Sequence, residues 1–275
     1  MKTLIELAEF LLSIFIIPKS KVKKPVPEPT IPVQPISEPV PEVIIKPEPK
    51  PVYTGWLKSC IKKDFPKSQY MQEKTAKNQI VLHHTVGASA QSSINTWLQD
   101  PQRVCTHFII DRDGTAYQLF SLDHWGYHLY VASPGNKIDI EFKKNASRYD
   151  KASIGIELCN FGPLTVRNNR YSNIYNQPID QDDVIKLDFR GYQYWEKYDP
   201  RQIESLRKVL LELLGIYDNI RLALLDDYSV IFDINRNALK QKDGIYSHVC
   251  YRTTKSDCFP DPLLLNMLNN LKKEL

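Results

Sequence analysis

The sequence predicts one folded domain of mixed strand and helix content, α/β or α+β, over residues 54–275. Three observations predict it. The apolar runs Ile80-Val81-Leu82 and Ile154-Gly155-Ile156 read as buried strands. Asp113-Gly114, set between two β-prone runs, reads as a hairpin turn. Two amphipathic stretches each begin with Asp-Pro, at Asp199 and Asp261, which places an N-cap and a first-turn proline.

Two segments precede that domain. Residues 1–17 carry Lys2 and then the apolar run 10–17, similar to a short signal h-region. Glu6 and Glu9 interrupt it, no small-x-small cleavage site follows, and it falls short of the roughly 20 residues a spanning helix needs. A docking helix and a membrane-targeting or anchoring segment both remain open. Residues 18–53 hold proline at 18, 25, 27, 29, 32, 35, 39, 41, 47, 49 and 51. Proline removes backbone donors and fixes φ, so neither helix nor sheet propagates. The expectation is an extended spacer of about 3 Å per residue, roughly 100 Å in all. An SH3-type ligand is the weaker reading.

Within the domain, 78–83 reads as a strand, 89–99 as a short helix, 107–111 and 115–120 as the hairpin, and 153–160 as a second buried strand. The helix from Asp199 to Gly215 turns Ile203, Leu206, Leu210 and Leu213 inward. The last helix starts at Asp261 and ends in Lys272 and Lys273, whose charge suits a helix C-terminus. Between them, about 163–198 is polar and tyrosine-rich, too long for a plain loop. It reads as an insertion that lines or covers a cleft, or that packs on the domain. No internal repeat is present.

Composition excludes little. Of 275 residues 42% are hydrophobic, enough for a packed core, and the net charge of +4 is too small to argue for nucleic acid. Five scattered cysteines make no disulfide framework, so at least one thiol is free or metal-bound.

The chemistry concentrates in three places. His83 ends an apolar strand, where a lone histidine is usually structural. Its neighbour His84 raises the functional reading, since one ring can bind metal while the other packs or orients it. Glu157 sits mid-strand between apolar residues, which is costly unless it is paired or faces a polar cavity. A general base beside a metal-activated water, or a structural salt bridge, explains it. His248 lies in a loop-like stretch, with Asp257 and Cys258 nine and ten residues on. Two histidines and one acid or thiolate make a three-ligand site with an open fourth position.

Taken together, the segments 80–87, His107-Phe108-Ile109-Ile110-Asp111-Arg112-Asp113-Gly114-Thr115, Trp125-Gly126-Tyr127-His128 and Ser153-Ile154-Gly155-Ile156-Glu157 resemble the type 2 N-acetylmuramoyl-L-alanine amidases. That family includes phage lysins, bacterial cell-wall amidases and peptidoglycan recognition proteins. The resemblance runs from about residue 78 to the C-terminus, with the motifs in family order. It implies a mixed central β-sheet flanked by helices, a Zn2+ cofactor, and peptidoglycan as substrate, cut between muramic acid and L-alanine.

Residue by residue, the resemblance makes His83 and His248 zinc ligands and Glu157 the acid/base. Asp257 or Cys258 is the third ligand. A lysine two places before the ligand is the family pattern, and Lys255-Ser256-Asp257 reproduces it, so Asp257 is preferred. Asp261 is better used as a helix cap. The family's proline directly after the ligand is missing, since Pro260 comes late. Lys255 is expected to stabilise the oxyanion. His84, His107, Trp125, His128 and Asn160 are candidates for substrate contact. Thr106 stands where some members carry a catalytic tyrosine, so that help is absent or comes from elsewhere. The resemblance also implies an envelope, secreted or phage-lysin location. A metal-free binding module of the same fold and a zinc peptidase cutting within the stem peptide are the rival readings.

Overall fold

A computed structural model describes residues 56–168 and 170–275. The expected 1–17 segment and the proline-rich 18–53 spacer lie outside the described residues. Along the chain run β1 (Ile61–Lys62), β2 (Gln79–His84), β3 (Phe108–Ile110), β4 (Ala116–Gln118) and β5 (Ser153–Leu158). After them come β6 (Thr165–Arg167), β7 (Arg170–Ser172), β8 (Pro178–Ile179), β9 (Val184–Phe189), β10 (Tyr192–Glu196) and β11 (Gly244–Ser247). Three longer helices are α1 (Ala90–Leu98), α2 (Pro200–Ile216) and α3 (Pro262–Asn270).

The central sheet is mixed, in the order β1-β4-β3-β5-β2-β11. β3, β5, β2 and β11 run parallel, β4 is antiparallel to β3, and β1 is parallel to β4. Parallel strands are covered on both faces, which is why β2 and β5 read as near-continuous apolar runs. All six residues of β2 are buried. β11 was not anticipated: four residues with one isoleucine give too short a period to recognise.

The helices form where their caps and stripes require. The Asp199 carboxylate accepts from the Arg201 N–H, and that of Asp261 accepts from Leu263 and Leu264. α2 buries Ile203, Leu206, Val209, Leu210, Leu213 and Leu214 against the sheet and α3. Each such side chain contributes about 1.5–3 kcal/mol over an exposed one. α1 lies in a second cluster, where Ala90, Ile94 and Trp97 meet Ile109, Cys159 and Phe120. The turn between β3 and β4 is a three-residue loop rather than a two-residue one. Asp111 pairs with Thr115, and Gly114 takes the left-handed conformation at φ 88°.

The tyrosine-rich segment has strands of its own. β6, β7 and β8 make a three-stranded sheet, and β9 and β10 a hairpin. The hairpin is anchored in the core: Trp195 is fully buried and stacks on Phe259 at 4.6 Å, with Tyr198 stacked on the same ring at 4.8 Å. All five cysteines are free. Among the described residues, no helix is long and apolar enough to cross a membrane.

Candidate active site

Three neighbouring parallel strands deliver the chemistry at their carboxyl ends, where ligands of open α/β sheets gather. His83 is the penultimate residue of β2, Glu157 the penultimate residue of β5, and His248 follows β11 directly. His83 and Glu157 are register partners, so both side chains stand on one face. His248 occupies a short 3-10 turn (His248–Cys250) rather than an open loop.

His83, His248 and Asp257 offer donor atoms that all lie within 4.8 Å of one another, and all three residues are buried. The separations are 3.0 Å between His83 Nδ1 and His248 Nδ1, 2.9 Å from His248 Nδ1 to Asp257 Oδ2, and 3.3 Å from His83 Nδ1 to Asp257 Oδ2. Tetrahedral zinc with bonds near 2.0–2.1 Å holds its donors about 3.3 Å apart.

The hydrogen-bond partners assign the tautomers. Ser153 Oγ gives its only proton to the Tyr149 carbonyl at 2.7 Å, so His128 Nε2–H donates to Ser153 Oγ at 3.0 Å. His128 Nδ1 is then an acceptor, and His83 Nε2–H donates to it at 2.9 Å. His248 Nε2–H donates to the Leu129 carbonyl at 3.0 Å. Both ligand candidates therefore aim a bare Nδ1 lone pair at the other and at a carboxylate. Three acceptors facing one another without a proton among them is a donor set that suits a cation.

Electrostatics agree. Burial is the largest influence on the rings and pushes all of them toward the neutral form: His83 and His128 fall below the usual value, and His248 falls to about 3. Burial pushes the Asp257 carboxyl up, but His248, Lys255 and His83 outweigh it and hold it well below the usual range. Glu157 goes the other way. Burial and then the Asp257 charge raise it well above a normal carboxyl, with Lys255 pulling it back. Its Oε2 is buried without a hydrogen-bond partner. The positive charge of Lys255 acts on both acids.

Cys258 points elsewhere. It is fully buried in the main core cluster, bonded to Tyr198, and burial raises its thiol well above the normal value. Of the other expected contact residues, only His128 touches the three-residue group. His84, one residue on from His83, faces the opposite side of the sheet. Its Nδ1 lies 3.3 Å from the Tyr198 hydroxyl and its ring packs near Phe259 and against Gly162, where a Cβ would come within 2.6 Å of Nε2. His107 has both nitrogens occupied: Nε2–H donates to the His124 carbonyl and Nδ1 accepts from Gly155 N–H. Asn160 spends its amide on the Glu196 and Lys197 carbonyls and its oxygen on Gly162 N–H. Trp125 is buried, donates to Glu73 and lies under the Lys151 ammonium. These four tie the framework together rather than lining the group at His83.

Sequence reasoning did not find the supporting shell. Ser153, the Leu129 carbonyl and Asp150, whose carboxylate accepts from His128 and Leu129 N–H at 2.9 Å each, orient the histidines. Three of these contacts run through backbone atoms, which no residue type announces. An aspartate three residues before a buried strand is the only trace Asp150 leaves.

The sequence model of a family described as N-acetylmuramoyl-L-alanine amidase matches residues 73–257. No curated protein matches the chain. Among solved structures, PlyL is 13% identical over 78% of this chain and 96% of its own, with a TM-score of 0.42. A selenomethionine derivative of AmpD is 17% identical over 79% of this chain and 96% of its own, with a TM-score of 0.40. AmiD from E. coli, solved with anhydro-N-acetylmuramic acid-L-Ala-D-gamma-Glu-L-Lys, is 20% identical over 62% of this chain and 58% of its own, with a TM-score of 0.33.

Proposed function

The chain belongs to the N-acetylmuramoyl-L-alanine amidase family, and from that premise we propose that it is a zinc-dependent peptidoglycan amidase. The bond cut joins the lactyl carbonyl of N-acetylmuramic acid to the nitrogen of L-alanine. His83 and His248, through Nδ1, and Asp257, through its carboxylate, hold the metal. A zinc ion there supplies Lewis acidity toward the scissile carbonyl and a nucleophile at neutral pH.

The chain's own residues do the remainder. Glu157 takes the proton of the attacking water at Oε2, the carboxylate oxygen with no competing partner. It returns that proton to the alanine nitrogen as the carbon–nitrogen bond breaks, leaving a lactyl carboxylate and a free amine. Burial raises its proton affinity, which favours holding that proton between the two transfers. Lys255 sets a positive charge against the oxygen that turns negative. His128 and Ser153 keep His83 in the tautomer that frees Nδ1.

One observation carries the reading: three proton-free donors converge one strand away from an unpartnered buried carboxylate oxygen. The test is digestion of purified peptidoglycan by the zinc-loaded protein, with and without chelator, and mass spectrometry of the products. The expected products carry free lactyl groups and new L-alanine N-termini, and chelator suppresses them. Cuts confined to the stem peptide, or no hydrolysis by protein carrying stoichiometric zinc, would overturn it.

A further inference from the structure

Beside the catalytic face lies a pocket of about 300 Å³ that the hydrolytic step leaves unused. Its floor is the chain leaving β2, from Thr85 to Ala88. One wall is α1, through Ser93, Thr96 and Trp97, and the other is Phe161, Tyr175 and Gln177. None of the lining residues is charged.

The pocket is held in shape by named contacts. Val86 in the floor sits at φ 53°, a left-handed conformation that β-branched residues avoid. The Tyr175 hydroxyl donates to the Val86 carbonyl at 3.1 Å. The Arg112 guanidinium donates to the carbonyls of Gly87 and Ala88, pairs with Glu196, and lies 4.6 Å from the centre of the Phe161 ring. Strain persists where its surroundings over-determine it, and here the tyrosine-rich segment supplies part of that restraint.

The polar atoms define what fits. Ser93 and Thr96 have given their protons to the backbone carbonyls of Ser89, which caps α1, and Ser92, so lone pairs remain on their oxygens. The Gln177 carboxamide oxygen accepts from Asn173, leaving its N–H donors for a ligand. Neutral donors and acceptors between aromatic walls match a pyranose with hydroxyl and acetamido groups, and supply no countercharge for the carboxylates and amines of a stem peptide. Placement agrees as well. Thr85 continues the ladder through its N–H to the Leu158 carbonyl, on the face that carries His83. It stands two residues on, roughly 7 Å of extended chain.

We infer that this pocket is a saccharide subsite, built in part by the 163–198 segment, that takes an uncharged N-acetylated sugar of the glycan strand next to the bond being cut. This rests on the amidase reading for its natural ligand, but its binding is measurable without catalysis. The experiment uses the full chain carrying Glu157→Gln, titrated with tri-N-acetylchitotriose and followed by saturation-transfer NMR and tryptophan fluorescence. Saturable binding is expected, weakened at least about tenfold by Tyr175→Ala and by Gln177→Ala. Gln177→Ala removes no atom of the Tyr175 to Val86 contact, and so separates loss of a ligand donor from loss of that clamp. In the active enzyme Gln177→Ala raises KM for a disaccharide-peptide by a larger factor than KM for a sugar-free D-lactyl-peptide, a difference that a merely misshapen site does not produce. Equal chitotriose binding by the parent and both variants, or none by any, overturns the subsite even where hydrolysis proceeds. Chitotriose binding that the variants abolish, in a protein that cleaves neither substrate, retains the subsite and overturns the amidase reading alone.

Discussion

Replacing Asp257 and Cys258 in turn by alanine separates two residues that are adjacent in sequence and face different ways. Asp257 Oδ2 lies 2.9 Å from His248 Nδ1 and 3.3 Å from His83 Nδ1. Outer partners of metal ligands are each worth 10–100-fold in affinity, so losing a direct donor costs at least about 100-fold, or ~2.7 kcal/mol. Asp257→Ala should therefore strip zinc from the protein in competition with a chromophoric chelator at neutral pH. Cys258 is buried among core side chains away from those nitrogens. Its truncation removes one buried heavy atom, which costs about 1 kcal/mol of folding stability in a denaturant titration and leaves zinc affinity unchanged. If Cys258→Ala loses zinc while Asp257→Ala retains it within a few fold, the third donor is the thiolate and the geometric argument fails.

Three more outcomes are expected. Glu157→Gln should lower wall hydrolysis by about 10²–10⁴-fold with zinc content unchanged, and a rate within threefold of the parent would remove Glu157 from the proton transfer. His128→Phe takes away the acceptor of the His83 Nε2–H and should weaken zinc by about 10–100-fold while the circular dichroism spectrum stays native. Unchanged affinity would mean that His83 needs no such partner. Burial pulls Lys77 down to about 7 despite Asp150 and Asp123, below its value in the unfolded chain. Between pH 7 and 10 the unfolded chain then binds the extra proton, so this residue adds stability as pH rises through that window. The Tm of the parent minus that of Lys77→Met should accordingly increase from pH 7 to pH 9.5; a flat or falling difference contradicts the assignment.

By itself the sequence determined the main strands and helices around the site and pointed to two positions of the candidate site. Aspartate before proline announced two of the three longer helices, α2 and α3, because a carboxylate cap and a fixed φ act within one turn. His83 and Glu157 were legible because a polar residue inside an apolar strand is costly without a purpose, and that cost is local. Tertiary structure decided what depends on direction and on backbone. His83 and His84 sit on opposite faces of one strand, and Asp257 and Cys258 face different surroundings, yet neither pair differs in any way that composition records. His107 and Asn160 proved to be bonded to backbone groups of distant segments, and His128 to be the link between Ser153 and His83. Hydrogen-bond acceptors supplied by carbonyls are the same in every residue, so only the folded chain shows which of them a side chain has met.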